Sequence, residues 1–252
     1  MKFLHLSDLH FHGADDQNKE ALRLLEYVRA TYPGHRLIIT GDLADDGDPG
    51  QFRRVVEALR PFKGRLHLVP GNHDYGRVGN LFRPECVRDF DEIVCKELEI
   101  GGAFGEKRPL VHALVDGSTK VLLIGLNSSL YTTHPFDFAC GEIGAAQLQE
   151  LDAILGAPTS RHFVKVVYFH HHPFIRANPF LQLKDAEALM RTIYMRADAL
   201  LFGHRHESSQ WLEFGGVQAI LAADDSPGKA TVRELEVDPE GWVKVQSVST
   251  GL

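Results

Sequence analysis

Short apolar stretches alternate with amphipathic stretches over the first seventy residues of the chain. Lys2 to Leu6, Arg36 to Thr40 and Arg65 to Val69 are short and apolar, which predicts buried β-strands. Between them, Gln17 to Thr31 and about Pro49 to Leu59 carry apolar residues at helical spacing. This β-α-β-α-β order predicts a parallel sheet with polar loops at the carboxyl ends of its strands.

The remaining residues combine parallel and antiparallel patterns. Leu110 to Val115 and Lys120 to Leu126 predict a hairpin. Phe163 to Phe169 and Ala199 to Phe202 are further apolar strands, and each follows a predicted helix. Residues 209–252 alternate in the manner of three or four antiparallel strands.

These elements predict one α/β domain, α+β by some schemes, that spans residues 1–252. No repeat or linker interrupts the pattern. A four-layer αββα sandwich, with two mixed β-sheets flanked by helices, accommodates both the parallel first half and the antiparallel tail. We expect the tail, residues 209–252, to complete the second sheet. Its strands also offer an edge through which two copies of the chain could pair as a homodimer.

The charge balance limits the partners that the protein can bind. The formal net charge is -7, with 24% charged and 44% hydrophobic residues, as in an ordinary globular protein. A negative surface repels polyanions, so neither extended nucleic acid nor an anionic membrane is an expected partner. Phosphate chemistry would then need local positive charge, which bound metal cations can supply.

The chain carries no sign of export or of membrane insertion. Its first ten residues lack an apolar h-region, and no apolar run approaches the roughly 20 residues that a membrane span requires. The three cysteines form no close pair, which favours reduced, structural thiols. We therefore expect a cytoplasmic protein.

Five short polar segments each lie where an apolar strand gives way to a loop. The carboxyl ends of strands in an open sheet converge on one crevice, so ligands distant in sequence would meet there. The segments are Asp8-Leu9-His10, Gly41-Asp42, Gly71-Asn72-His73-Asp74, His170-His171-His172-Pro173 and Gly203-His204-Arg205-His206.

The residue types in these segments are those that bind transition metals. Borderline metals such as Mn, Fe, Co and Zn accept Asp, His and Asn, and the absence of cysteine argues against a structural zinc finger. Side chains two residues apart in an extended backbone share a face, as in Asp8 and His10 or His204 and His206. Each motif alone is weak evidence, but five in this order predict a metal site.

The series DLH, GDLADDG, GNHD, HHP and GHRH resembles the calcineurin-like metallophosphoesterases from Asp8 to His206. It looks most like the branch with class III cyclic nucleotide phosphodiesterases and glycerophosphodiesterases. The segment from Gly141 through Gln147 to Leu155 is also similar to that branch. The resemblance implies a hydrolase with two divalent or trivalent transition-metal ions (Mn, Fe, Zn or Co).

The resemblance also implies an assignment of ligands. One ion takes Asp8, His10 and His206, the other takes Asn72, His171 and His204, and Asp42 bridges the two. His170 and His172 are adjacent alternatives to His171. The family ligand lies two residues before the proline, and strand alternation turns the neighbours of His171 to the opposite face.

The resemblance implies a catalytic role for two further residues. His73 is expected to contact the phosphate and to protonate the leaving oxygen, with Asp74 holding its ring. A metal-bridging hydroxide would attack phosphorus in line. Asp45 and Asp46 are predicted to form a turn near the site rather than to bind metal.

The substrate is less well defined by the sequence. Asp46 and Asp74 stand where related protein phosphatases carry arginine and glutamate, and His73 stands where lipid A precursor pyrophosphatases usually carry arginine. A small phosphodiester remains, of cyclic nucleotide or glycerophosphodiester type. A phosphomonoester or a nuclease substrate, or a non-catalytic metal-binding scaffold, are the alternatives.

Three residues are candidates for substrate contacts in addition to Asn72 and His73. His12 follows the first motif, and Tyr131 and His134 lie in the aromatic loop 128–141. Tyr131 is a candidate to stack on a base, as are Phe136 and Phe138, although packing of this loop onto the core is the favoured interpretation.

Overall fold

The first sheet combines three parallel strands with two antiparallel strands from the chain terminus. The computed structural model describes residues 1–79, 81–131, 134, 137, 139–175, 178–223 and 231–250. In spatial order the strands of this sheet are β13 (Val243–Ser249), β12 (Thr231–Val237), β1 (Lys2–Leu6), β2 (Arg36–Thr40) and β3 (Leu66–Val69). The parallel register of β1, β2 and β3 confirms the βαβαβ start predicted from the apolar periodicity.

The second sheet is also mixed. In spatial order the strands are β10 (Ser209–Phe214), β11 (Val217–Ala222), β9 (Ala199–Phe202), β8 (Val164–Tyr168), β7 (Thr119–Gly125) and β6 (Leu110–Asp116). Strands β7, β8, β9 and β11 run parallel, and the two edge strands, β6 and β10, are antiparallel to their neighbours. The predicted hairpin corresponds to β6 and β7.

Helices cover the two sheets on their outer sides. Buried residues of α1 (Lys19–Thr31) and α2 (Pro49–Leu59) share one apolar core with the first sheet and with one face of the second sheet. Buried residues of α4 (Ala145–Gly156) and α5 (Ala186–Ile193) share a second core with the other face of the second sheet. The predicted four-layer αββα architecture is therefore confirmed.

Shorter elements fill the connections. A two-stranded hairpin, β4 (Gly76–Arg77) and β5 (Leu81–Phe82), follows the third motif, and α3 (Pro84–Asp89) continues into a π-helix at Phe90–Cys95. Short 3-10 segments lie at Asp15–Asn18, Arg60–Phe62, His73–Tyr75 and Pro158–Ser160.

The tail divides between the two sheets, which corrects the expectation that it completes the second sheet alone. Strands β10 and β11 extend the second sheet, but β12 pairs antiparallel with β1 of the first sheet, and β13 pairs antiparallel with β12. Lys2 on β1 forms an ion pair with Glu234 on β12 at 3.0 Å. Alternation of apolar and polar residues predicts a strand, but it does not show which sheet the strand joins. The homodimer stays a prediction.

Among the helices of the described residues, none is long and apolar enough to cross a membrane.

Candidate metal centre

The five polar segments meet because the backbones that follow the strands hold one another. The amide of Asp8 donates to the carbonyl of Gly41 at 3.0 Å, and the amide of His10 donates to that of Asp42 at 2.9 Å. In the second sheet, the amide of Gly203 donates to the carbonyl of His170 at 2.9 Å. Parallel pairing thus continues past the strand ends and aligns the motifs of each sheet.

Asp8, His10 and His206 form one cluster of possible metal ligands. Nε2 of His10 lies 3.2 Å from Nε2 of His206, which lies 3.3 Å from Oδ1 of Asp8. The buried Asp8 carboxylate also accepts the amide of His204 at 3.2 Å, which joins the first motif to the fifth. Three residues that the sequence assigns to one ion are therefore close enough to share it.

A second cluster contains Asp42, Asn72, His170 and His204. Nε2 of His170 lies 3.0 Å from Oδ1 of Asn72 and 3.2 Å from Oδ2 of Asp42. Nδ1 of His204 lies 3.1 Å from the same Nε2. Oδ2 of Asp42 is also 3.8 Å from Nε2 of His10, so this carboxylate lies between the two clusters.

His170, and not His171, faces the second cluster, which corrects the placement expected for His171. Val166 and Tyr168 of β8 pack in the core between the sheets, whereas Val167 and Phe169 pack in the core under α4 and α5. Continued alternation turns His170 toward the other motifs. Strand alternation places His171 on the opposite face from His170 and His172. Only the packing of β8 between the two cores shows that the face of His170 is the one turned toward the other motifs.

His171 instead supports the turn that carries His170. Its Nδ1 lies 2.8 Å from Oγ of Ser128, and that hydroxyl accepts the amides of His170 and His171 at 3.3 and 3.1 Å. Since both hydroxyl acceptor positions are used, Ser128 donates its own proton to His171. His172 is buried with Phe202 and Trp211, away from both clusters.

The second cluster has the chemistry expected of a cation site. Nδ1 of His170 lies 2.7 Å from the carbonyl of Thr40 and must donate to it, so neutral His170 presents the lone pair of Nε2 to the cluster. The amide nitrogen of Asn72 donates to the carbonyl of Gly79 at 2.9 Å, which directs its oxygen to the same point. Lone pairs therefore face one another, an arrangement that a shared metal ion or bound protons would stabilise.

Five of the predicted ligands have left-handed backbone conformations. The φ angles are 56° at Asp8, 45° at His10, 51° at Asp42, 78° at His204 and 52° at His206. This region is unfavourable for side chains other than Gly, and Asp, Asn and His tolerate it best. Such strain is common at functional sites, where surrounding contacts impose it, and five of the ten non-glycine residues with positive φ in the described chain belong to the two clusters.

Glycines allow the motif loops to approach closely. A Cβ at Gly71 would collide with the carboxylate of Asp42, and a Cβ at Gly203 would collide with Ser7 and lie 2.6 Å from Oδ2 of Asp8. Gly41 additionally has a φ of +91°. Glycine is thus needed before Asn72 and His204 because a neighbouring loop passes too close for a side chain, and not because the backbone there is left-handed.

His73 lies beside the first cluster, but Asp74 does not hold its ring. The rings of His73 and His10 are 4.7 Å apart, and the amide of His73 donates to Oδ1 of Asp42 at 3.0 Å. The buried Asp74 carboxylate accepts amides of the second and third motif loops. These are the amides of Leu43 at 3.2 Å, Ala44 at 2.8 Å and Gly71 at 2.9 Å.

Asp45 takes the role that the sequence predicts for Asp74. Its carbonyl accepts Nδ1 of His73 at 2.7 Å. Its carboxylate lies 3.5 Å from Nδ1 of His10 and 3.2 Å from Nδ1 of His12. The sequence places Asp45 near the site but contains no signal that it contacts three histidines.

The two clusters open into a cleft of about 590 Å³. Its lining includes Asn72, His73 and His12, three of the residues predicted to contact substrate. His134 is exposed and is not among the described residues that line this cleft.

Tyr131 packs onto the core rather than facing the cleft. Its ring stacks on Phe82 at 4.8 Å, and its hydroxyl accepts from Asn127 at 2.9 Å. Packing of this part of the loop is therefore confirmed for Tyr131. Phe136 and Phe138 lie outside the described residues.

The carboxylates of the site favour protonation of two histidines in the absence of metal. Burial alone would lower the pKa of His170, but the charge of Asp42 and its hydrogen bond raise that pKa to about 9. Burial likewise opposes protonation of His10, but the nearby carboxylates of Asp45 and Asp42 raise its pKa to about 9. Burial and the charge of His170 lower the pKa of His204 to about 3.

These pKa values predict how the stability of the metal-free protein depends on pH. The folded-state pKa of about 9 for His10 and His170 exceeds the ordinary 6.5, so their stabilising contribution is complete below pH 6.5 and is lost as pH rises toward 9. The melting temperature of EDTA-treated protein should therefore fall by roughly several degrees between pH 6.5 and 8. Differential scanning fluorimetry measures this change.

Manganese provides the control. Metal binding must displace these protons, so the stabilisation by saturating Mn²⁺ should grow over the same pH range. A melting temperature of the metal-free protein that is constant or rises from pH 6.5 to 8 would contradict the assigned proton sites.

Comparison with known proteins agrees with this geometry. The family model described as calcineurin-like phosphoesterase matches residues 1–208. The 3',5'-cyclic adenosine monophosphate phosphodiesterase CpdA of Haemophilus influenzae is 24% identical over 266 residues, covering 100% of this chain and 87% of the relative. A cAMP/cGMP dual specificity phosphodiesterase of Mycobacterium tuberculosis is 28% identical over 239 residues, covering 87% of this chain and 66% of the relative.

Solved structures show the same fold at low sequence identity. A dimetal phosphatase from Danio rerio superposes with a TM-score of 0.65 and 14% identity over 99% of each chain. A purple acid phosphatase from yellow lupin has a TM-score of 0.63 and 10% identity over 100% of this chain and 52% of its own. The match of the family model to most of the sequence shows that the chain belongs to the calcineurin-like phosphoesterases, a family of metal-dependent hydrolases.

Proposed function

We propose that this protein is a dinuclear metal-dependent phosphodiesterase that hydrolyses a small phosphodiester, of cyclic nucleotide or glycerophosphodiester type. The observation that carries the proposal is the position of the Asp42 carboxylate between two groups of ligands. One transition-metal ion (Mn, Fe, Zn or Co) would be held by Asp8, His10 and His206, and a second by Asn72, His170 and His204, with Asp42 shared.

Two observations support two ions rather than one. Each group of ligands contains a carboxylate and at least one imidazole within hydrogen-bond distance, and the Asp42 carboxylate lies between the two groups. Neutral imidazole and carboxylate ligands suit Mn, Fe, Zn and Co. Two ions held by these residues would supply Lewis acidity, which would lower the pKa of a bound water and neutralise charge on the phosphate.

His73 is placed to assist departure of the leaving group. Its ring lines the cleft, and Nδ1 donates to the carbonyl of Asp45, which fixes the ring orientation. In the protonated ring, Nε2 would supply the proton to the leaving oxygen. The carboxylate of Asp45 also lies 3.8 Å from this Nδ1.

The choice of a small phosphodiester rests on the relatives and on charge. Both relatives described above are named as cyclic nucleotide phosphodiesterases. The net charge of -7 disfavours an extended nucleic acid, whose phosphates the surface would repel. The cleft of about 590 Å³ lies in the range of small-molecule sites.

A substrate panel tests the proposed function. Protein stripped of metal and reloaded with Mn²⁺ is assayed on 3',5'-cyclic AMP, glycerophosphodiesters, p-nitrophenyl phosphate and single-stranded DNA. We expect the diesters of small alcohols to have the highest kcat/KM and turnover to require added metal. A preference for the monoester would indicate a phosphomonoesterase, a preference for DNA would indicate a nuclease, and a metal-loaded but inert protein would indicate a scaffold.

A further inference from the structure

The cleft beside the metal centre has a polar part that the proposed mechanism does not use. His12, Gln17 and Glu20 contribute to its lining, whereas Ala139 and Leu181 make another part apolar. None of the three polar residues belongs to the five ligand motifs. Their side chains are available to interact with the portion of a substrate that extends from the phosphate.

The polar part of the cleft is held in place by Asn18. This buried side chain accepts the amide of His12 at 2.8 Å and donates to the carbonyls of His12 and Ala14 at 3.0 and 3.1 Å. Gln17 lies in the 3-10 segment that leads into α1, and Glu20 lies three residues further along, in its first turn. Residues three apart on a helix lie on the same side, so the two side chains form one surface anchored to the first ligand motif.

Gln17 and Glu20 have no other role in the described parts of the chain. Within those residues, neither side chain forms a hydrogen bond or an ion pair, and both are exposed. His12 differs, because its Nδ1 lies 3.2 Å from the carboxylate of Asp45. The polar groups of Gln17 and Glu20 are thus free to bind a ligand without breaking a contact within the protein.

The contacts of Asp45 relate this surface to the leaving group. The carbonyl of Asp45 holds His73, and its carboxylate contacts His12. The side of the cleft that contains His12 therefore adjoins the residue that would protonate the leaving oxygen. Since Gln17 and Glu20 line the same cleft as His73, a leaving alcohol that receives a proton from His73 would have this surface within the cleft.

We infer that Gln17 and Glu20 determine substrate specificity by binding the leaving group of the diester, and that this group carries neutral or cationic hydrogen-bond donors. The inference rests on the proposed function and names the part of the substrate that the site recognises. A carboxylate only accepts hydrogen bonds, so Glu20 requires a donor such as a ribose hydroxyl or an exocyclic amine. The same negative charge disfavours a leaving group with a second phosphate.

The test compares two substrates in matched variants. Wild type, Glu20→Gln and Glu26→Gln, each loaded with Mn²⁺, are assayed on 3',5'-cyclic AMP and on bis(p-nitrophenyl) phosphate, whose leaving group has no donor. Glu26 is an exposed residue of the same helix that lines a different groove, so its replacement removes the same charge elsewhere.

We expect Glu20→Gln to lower the ratio of kcat/KM for cyclic AMP over the nitrophenyl diester by about tenfold, mainly through KM. Glu26→Gln should keep the ratio of the wild type. An equal loss on both substrates in Glu20→Gln, or no loss, overturns the inference. Failure of the wild type to hydrolyse cyclic AMP, glycerophosphodiesters or any other small diester contradicts the proposed function, whatever the variants do.

Discussion

Replacing Asp42 with asparagine is expected to lower phosphodiester turnover by more than about 100-fold and to reduce the metal content of the protein. Changes to residues that only support a metal ligand typically cost about 10- to 100-fold, and Asp42 approaches both ligand groups directly. Its Oδ2 lies 3.2 Å from Nε2 of His170 and 3.8 Å from Nε2 of His10. Asparagine keeps the shape but lacks the negative charge and one acceptor. Metal analysis together with kcat/KM for a diester measures the effect.

Asp116→Asn is the matched control for this variant. Asp116 is exposed in the β6–β7 hairpin, at the end of the second sheet away from the ligand motifs, so its loss changes only the net charge. This control should keep wild-type turnover and metal content. Near-normal turnover by Asp42→Asn with intact metal content would contradict the role of Asp42 as a shared ligand.

Replacing His170 with alanine should reduce bound metal and lower turnover by more than about 100-fold, whereas replacing His171 should chiefly reduce stability. His170 directs Nε2 at Asn72, Asp42 and His204, and Thr40 holds its Nδ1. His171 is buried against Ser128, so His171→Ala leaves a cavity and an unpaired hydroxyl. Metal content and melting temperature, measured on both variants, distinguish the two roles.

His171→Gln provides a second test of His171 in case the alanine variant does not fold. The amide oxygen of glutamine can accept the hydroxyl proton of Ser128, so this variant should restore part of the lost stability and keep its metal. The opposite pattern, with metal retained in His170→Ala and lost in both His171 variants, would return the ligand role to His171. Either pattern decides between the two adjacent histidines.

The register of β8 explains why His170, and not the predicted His171, faces the other motifs. Three consecutive histidines at a strand end offer two faces, and alternation alone assigns His171 to one and its neighbours to the other. Which face points between the sheets depends on the packing of Val166 and Tyr168 against the first sheet. That packing is a long-range contact with no local sequence signal.

Asp74 and Asp45 show that the contacts of residues around the ligands are also not predictable from the local sequence. Adjacency in sequence suggests that Asp74 supports His73, but its carboxylate turns toward the amides of Leu43, Ala44 and Gly71. The residue that contacts His73 lies 28 positions away, in the second motif. Partners of this kind come from parallel strands brought side by side.

Local sequence patterns determined the strands, the helices and the layered architecture, and together with the family resemblance they pointed to six of the seven residues that the structure gathers into the two clusters. They are reliable there because apolar periodicity and the placement of polar residues at strand ends depend on neighbours along the chain. Only the tertiary structure decided the division of the tail between two sheets, the choice of His170 and the contacts of Asp45. Each of these depends on pairing register between segments far apart in sequence, where the free energy comes from contacts that no single segment contains.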